Sequence, residues 1–371
     1  MTRRVRERAR DRSRARDRWR ARDRSIRWLL GLVHACWITP AYARSTPTPT
    51  TTVQPGVPEP GVPGISTQPR DEPPTWRFRK SDKSVKVVVL AGSIGAWPHD
   101  PYARVLERMC SNVEMKNLSK TGLGARMLKR RFREQVLDNP RVDVKKPGLE
   151  HWLVFQGGLN SVGIPERTNK DIRELVVLAH QRGFRVVLMS LTPWGDESDR
   201  SRWAGTAGLR YFRATRKVVD FVLGASSARE ALGHYASERP DGPDAGWRAD
   251  ERPEVAIDLY DSQLRDREAP IRDLQAMRRA LELDPRLRKI LVRLSPERRE
   301  ETLRQQASLA SEIPRWYLRR DLRSFDHMHP NREGHRIIAD VACPALPGSW
   351  GCVCSRPDPD PAPTAGSDSA P

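Results

Sequence analysis

The sequence predicts an α/β protein, a three-layer α/β/α sandwich built on a parallel sheet of about five strands. Three observations predict it. Short apolar runs alternate with segments of helical spacing from residue 85 to residue 260. The first run, "VKVVVLAGS", is aliphatic on both faces, as a strand covered on both sides must be. Glycines and polar residues gather just beyond the runs, where a parallel sheet places the loops at its carboxyl end.

The elements follow in order. Residues 85–93 form the first strand, and "PYARVLERMC" comes next with helical spacing, Pro101 suiting a first helical turn. "VEMKNLS" (113–119) is the second strand and "GARMLKRRFREQVL" (124–137) an amphipathic, basic helix. "HWLVFQGG" is the third strand, and "NKDIRELVVLAHQRG" a helix closed by Gly183. "FRVVLMSLTP" supplies the fourth, "GLRYFRATRKVVDFVLG" the next helix, and "EVAIDLY" (254–260) a short fifth strand. Right-handed crossovers are expected, with the site at the carboxyl ends of the strands, and the expected arrangement is flavodoxin-like. A charged stretch then separates Tyr260 from Phe325. Leu274, Met277, Leu281 and Leu283 fall roughly on one face, and Pro285 and Pro296 punctuate it. The pattern predicts two or three amphipathic helices inserted over about 262–322, as a lid, a brace or the wall of a cleft. "GHRIIADVA" closes the fold as an apolar-faced helix, with Asn331 as its cap.

The flanks differ in kind. The chain of 371 residues carries 66 Lys+Arg against 47 Asp+Glu, a formal net charge of +19. Residues 1–43 hold 13 Arg and 4 acids, leaving +10 for residues 44–371. Dense arginine at a chain start suits nucleic acid, but the adjoining apolar segment points elsewhere. "IRWLLGLVHACWITPAYA" is too short and interrupted to span a bilayer, and it ends Ala41-Tyr42-Ala43, a small-x-small cleavage site. Residues 1–43 therefore read as a signal peptide with a long Arg-rich n-region, and the mature protein as exported with no nucleic-acid partner. A lipoprotein box around Cys36 is the weaker alternative. Residues 44–83 read as a Pro/Thr-rich linker, 84–345 as the folded domain, and 346–371 as a disordered tail. Four cysteines remain after cleavage: Cys110, Cys343, Cys352 and Cys354. An even number in an oxidising compartment implies disulfides fastening the C-terminal end, with the pairing left open.

Chemistry-bearing residues sit where the strands end. Strand one runs into "AGSIG", which places Ser93 at a strand-to-helix turn. Strand two runs into "NLSKTGLGA", with Gly122 at the mouth of a helix; strand three runs into "QGGLNS", with Asn160 just past its end. "DHMHPNREGH" (326–335) precedes the last helix. A hydroxyl, a backbone amide, a carboxamide and a histidine with a nearby aspartate are the inventory of acyl transfer. That chemistry needs no metal and no cofactor. P-loop, dinucleotide and EF-hand motifs are not seen.

The ordered set "AGSIG", "NLSKTG", "GGLNS" and "DHMHPNREGH" resembles the SGNH (GDSL-like) hydrolase superfamily over residues 85–342, apart from the helical insertion. The resemblance implies an esterase in which Ser93 is the nucleophile, His329 the base and Asp326 its orienting acid. It also implies an oxyanion hole made by the backbone N–H groups of Ser93 and Gly122 and the side chain of Asn160. "SLTPWGD" matches the loop that lines the pocket in that superfamily. Two positions depart from the pattern. Ala91-Gly92-Ser93 replaces Gly-Asp-Ser, and Asn160-Ser161 replaces Asn-Asp, so two polar supports of the site loops are missing. His99, His151, His327 and His335 read as structural. An α/β-hydrolase elbow would also accept "AGSIG", but it needs several strands before the serine and an acid far from the histidine. The expected substrates are acylated small molecules, glycans or lipids, with glycans of the cell envelope favoured by export and charge. The competing reading is a weakly active or non-catalytic module that binds envelope polysaccharide.

Overall fold

In the computed structural model the described residues are 76–354, apart from 80, 200, 204 and 239–245. The expected signal peptide, most of the linker and the tail beyond 354 lie outside them. Strands β1 (Val85–Ala91), β2 (Val113–Asn117), β3 (Glu150–Gln156), β4 (Arg185–Met189) and β5 (Val255–Ile257) pair in parallel, in the order β2-β1-β3-β4-β5. The order reverses between β1 and β3. A crevice for ligand opens at such a switch point, beyond the strand ends.

Alternation along β1 explains the layers. Val85, Val87 and Val89 point to one face, with α1 (Tyr102–Met109) and α9 (Arg332–Ala342) packed over them. Val88 and Leu90 point to the other, beneath α2 (Ala125–Phe132), α3 (Pro165–Gln181) and α4 (Gly205–Val222). All seven β1 side chains are buried, so neither face is polar. Full burial of one such aliphatic side chain contributes about 1.5–3 kcal/mol. A short helix, α5 (Ala228–Leu232), begins with a Ser227–Glu230 capping box, an element not expected from the sequence.

The insertion holds three helices: α6 (Leu274–Leu283), α7 (Pro285–Leu291) and α8 (Pro296–Ser311). Asp273, Asp284 and Ser295 cap them in turn. Leu281, Leu291, Leu303 and Ala307 form their small core. Leu283 does not join it and is 77 % exposed, because two residues rotate a helical side chain about 200° from Leu281.

Both domain boundaries lie further out than the composition suggests. At the front, Trp76 donates from its indole to Gln135 O at 2.8 Å and meets Phe78 edge-on at 5.5 Å. Phe78 in turn packs against His151, so the linker expected to run to 83 already folds at 76. At the back, residues 346–354 are tied down rather than loose. Trp350 is fully buried against Trp152, and the N–H groups of Ser111 and Asn112 donate to Gly351 and Trp350. Disulfides Cys110–Cys352 and Cys343–Cys354 close the segment. The first spans 242 residues of sequence. Replacing Cys110 and Cys352 together by serine should cost about 2–5 kcal/mol of unfolding free energy. Urea unfolding of the double variant, with the Cys343–Cys354 bond intact, reads this directly. An unchanged midpoint would mean that the segment unfolds independently of the sheet.

Candidate active site

The serine turn comes first. β1 ends at Ala91, and the chain bends so that Ala96 N–H donates to Gly92 O at 3.1 Å and Trp97 N–H to Ile94 O at 3.3 Å. Ser93 stands half-buried at the start of this bend, at the carboxyl edge of the sheet. The loop after β2 comes alongside: Leu118 N–H donates to Val89 O and Lys120 N–H to Ala91 O. Within that loop Gly122 has φ +81°, in the left-handed region, and a β-carbon there would meet nothing within 4 Å. The glycine therefore answers a backbone need rather than a lack of room for a side chain.

β3 brings the third group. Gly158 turns the chain with φ +109°, and Asn160 follows in a 3₁₀ turn. The Asn160 carboxamide nitrogen donates to Leu123 O at 3.2 Å. The same nitrogen would stand 3.3 Å from a β-carbon on Gly92. Asn160 thus bridges the loops that follow β1 and β2.

The decapeptide before α9 makes the fourth group. Asn331 caps that helix by accepting from Gly334 N–H at 3.0 Å, as expected, and its own amide donates to Asp321 O at 2.8 Å. The segment from Ser324 to Pro330 is thereby pulled into a tight loop, with Ser324 N–H donating to His329 O at 2.8 Å. Asp326 Oδ1 accepts the backbone N–H groups of Met328 and His329 at 3.1 and 3.0 Å. Its Oδ2 meets His329 Nδ1, while His329 Nε2 lies 2.6 Å from Ser93 Oγ. Burial pushes the Asp326 carboxyl up, but the donors from His329 and Met328 outweigh it and hold the group below the usual carboxylate range. With Nδ1 carrying the ring proton, the Ser93 hydroxyl donates to Nε2. A proton therefore has a direct route from serine to histidine across 236 residues of sequence.

All five residues expected from the sequence thus lie on three neighbouring loops and the segment before α9, at one end of the sheet. No family model matches the chain, and no curated protein does. Among solved structures it is similar to an acetyl xylan esterase, at 14 % identity and TM-score 0.38, over 70 % of this chain and 99 % of that one. It is also similar to a lipolytic protein of the G-D-S-L family from Veillonella parvula (15 %, TM-score 0.36, 70 % and 96 %). An acetyl xylan esterase from Geobacillus stearothermophilus matches at 15 %, TM-score 0.33, over 73 % and 97 %. Likenesses at these values carry no assignment of activity. The fold itself is plain from the sheet topology: a flavodoxin-like three-layer α/β/α sandwich on a five-stranded parallel sheet.

The two departures from the SGNH pattern have local explanations. Gly92, where the pattern has aspartate, leaves the space that the Asn160 carboxamide occupies. Ser161, where it has a second aspartate, supplies support of its own. Its hydroxyl accepts from Ala125 N–H at 3.2 Å and from the Thr168 hydroxyl at 2.9 Å, and donates to Gly158 O at 3.2 Å. One serine thereby ties the start of α2, the start of α3 and the Asn160 turn together.

The loop after β4 differs from expectation. Leu191–Asp196, matched to the pocket-lining loop of the SGNH enzymes, is buried throughout. The chain leaving the insertion lies over it, with Glu197 N–H donating to Arg315 O at 2.8 Å and Tyr317 N–H to Gly195 O at 3.0 Å. Trp194 is consumed by the core, edge-on to Trp203 at 4.7 Å. Asp196 reaches instead to Arg323 at 2.6 Å, a largely buried ion pair that joins this loop to the one carrying His329. Burial pushes the Asp196 carboxyl up, yet Ser198 and Arg323 hold it below its ordinary range.

Trp97 carries no signal of a site role in the sequence. Its ring stacks on His329 at 6.2 Å between centroids and meets His335 at a tilt at 5.8 Å. His335 is wholly buried, and burial first, then the nearby His329, pushes its pKa down to about 4. It is neutral at working pH and lies behind the site, in keeping with a structural role.

Proposed function

We propose that the chain is an exported serine ester hydrolase of the SGNH type, acting on carboxylic esters, O-acetyl esters included, of a glycan or lipid. The observation that carries this reading is the continuous line from Asp326 through the His329 ring to Ser93 Oγ, with 2.6 Å at the serine end. In this reading Ser93 Oγ attacks the ester carbonyl as its proton passes to His329 Nε2. Asp326 stabilises the imidazolium, and the N–H groups of Ser93 and Gly122 with the Asn160 amide receive the oxyanion. The imidazolium returns its proton to the departing alcohol. Water then repeats the sequence on the acyl-enzyme, releasing the acid and restoring the serine.

Export is supported by the Arg-rich start, the short apolar run and the Ala41-Tyr42-Ala43 site. It is supported again by two disulfides, which persist in oxidising compartments. The location and the positive charge favour a cell-envelope glycan over a soluble lipid ester. The test is covalent labelling with a fluorophosphonate, followed by a panel of p-nitrophenyl esters from acetate to palmitate. Label on the peptide containing Ser93, with turnover of at least one ester, is the expected result. A protein that takes no label and turns over no ester would be a binding module on this fold.

A further inference from the structure

Positive charge is concentrated at one edge of the domain. Residues 113–146 hold ten Lys and Arg against four Asp and Glu, a net +6, whereas all of residues 44–371 carry only +10. One of the four acids, Glu114, is spent in a buried pair with Lys86 at 2.7 Å. The stretch is continuous in space as well as in sequence: β2, an outer strand of the sheet, then the Gly122 loop, then α2. Lys120, Arg126, Arg130 and Arg133 are all exposed. The three arginines recur at i, i+4 and i+7, which puts them in one row, turned away from the buried stripe of Ala125, Leu128 and Phe132. Arg130 meets Glu134 only at 3.5 Å between two exposed groups, a weak contact.

The row starts at the candidate active site. Its first member lies one residue into α2, whose Ala125 N–H rests on Ser161 and whose preceding loop holds Gly122. From there it runs about 10 Å along the helix axis, the length of roughly two linked sugar rings. At its far end Arg133 borders a cavity of ≈ 270 Å³ between α2 and α3, lined also by Lys129, Arg173, Glu174, Val177 and Leu178. Lys129 is engaged there by Asp171 and Glu174, which neutralises the Glu174 carboxylate, and Arg173 by Glu251, which leaves Arg133 as the cation at the rim.

We propose that this edge is a landing track for a polyanionic acylated polysaccharide, a polymer of carboxylate-bearing sugars that lies along α2 while one of its esters reaches Ser93. The inference rests on the esterase reading above and adds the charge of the substrate. Repeating carboxylates match repeating arginines, and a flexible polymer gains from several weak contacts at once. Nucleic acid carries no carboxylic ester for Ser93. An anionic membrane surface needs an apolar face beside the cations, and α2 exposes only Met127, at 37 %.

The test compares the wild-type protein with the triple variant Arg126→Gln/Arg130→Gln/Arg133→Gln. Retardation in gels containing polygalacturonate, and KM for O-acetylated polygalacturonate, are measured beside kcat/KM for p-nitrophenyl acetate. The variant should lose retardation and raise the polymer KM roughly tenfold, about a factor of two for each exposed charge contact, with p-nitrophenyl acetate unaffected. Added salt should reproduce the loss in the wild type. Equal retardation of wild type and variant overturns the track, as does wild-type binding to acetylated neutral xylan, DNA or phosphatidylglycerol vesicles that matches binding to polygalacturonate. Retardation without hydrolysis of any ester would uphold the track and sink the esterase.

Discussion

Ser93→Ala should lose roughly 10³-fold or more in kcat and remain folded. The magnitude reflects the role of the hydroxyl in the proposed reaction: it forms the bond to the acyl carbon, and no neighbouring group substitutes for it. Folding should survive because the alanine keeps the β-carbon at the strand-to-helix turn. The backbone bonds that shape the turn, from Ala96 to Gly92 and from Trp97 to Ile94, do not involve the side chain. A circular dichroism spectrum and thermal midpoint like those of the wild type, alongside the lost turnover, are the expected pair of readings. A variant with wild-type kcat would place any esterase activity elsewhere on the molecule.

His329→Ala should be nearly as severe, since in the proposed reaction the ring, 2.6 Å from Ser93 Oγ, both accepts the serine proton and returns it to the leaving alcohol. The pH dependence separates this role from a merely structural one. Activity requires a neutral base, so kcat/KM should fall as the medium is taken from about pH 8 to about pH 5 and the base is protonated. Two nearby groups should add no inflection of their own there. Asp326 is held below the usual carboxylate range and so stays charged, and His335, pushed down to about 4 by burial, stays neutral. The sign for stability is the same. A depressed carboxyl such as Asp326 contributes stability above its unfolded-state pKa, and that contribution fades as pH falls through the folded value. Asp326→Asn should retain the fold and slow turnover by between about 10- and 10⁴-fold, because the imidazole loses its anion and its tautomer is no longer fixed. A pH–rate profile that is flat over this range would remove His329 from the base role, as would an inactive His335→Ala beside an active His329→Ala.

Much of the fold and site is legible in the chain itself, for identifiable reasons. β1 declares itself because a strand covered on both faces has no polar residue to confuse the pattern. Ser93, Gly122, Asn160 and His329 are legible because a parallel sheet delivers its loops to one end, so residues at four element boundaries must become neighbours. The features that escape depend on partners distant in sequence. Nothing around Trp97 signals that its ring will lie on a histidine 232 positions later. Ser161 looks like the loss of an aspartate, and only the approach of Ala125 and Thr168 makes it a tether. Leu191–Asp196 matches a pocket wall by position, but the insertion folds its return strap across that loop. Trp76 and Phe78 are lost in a Pro/Thr-rich composition that continues right up to them.

The Cys110–Cys352 bond has a consequence for how the molecule is made. Along the folded domain Cys110 comes first, and its partner lies 242 positions later. Cys343 appears nine residues ahead of Cys352, so an oxidant acting on the emerging chain meets the wrong partner before the right one. The four cysteines of the folded domain allow three pairings, and the domain holds one of them, Cys110–Cys352 with Cys343–Cys354. Docking of Trp350 against Trp152 on the sheet is what brings Cys352 to Cys110. Premature oxidation would therefore compete with that docking, and a thiol–disulfide isomerase should raise the yield of correctly bonded protein.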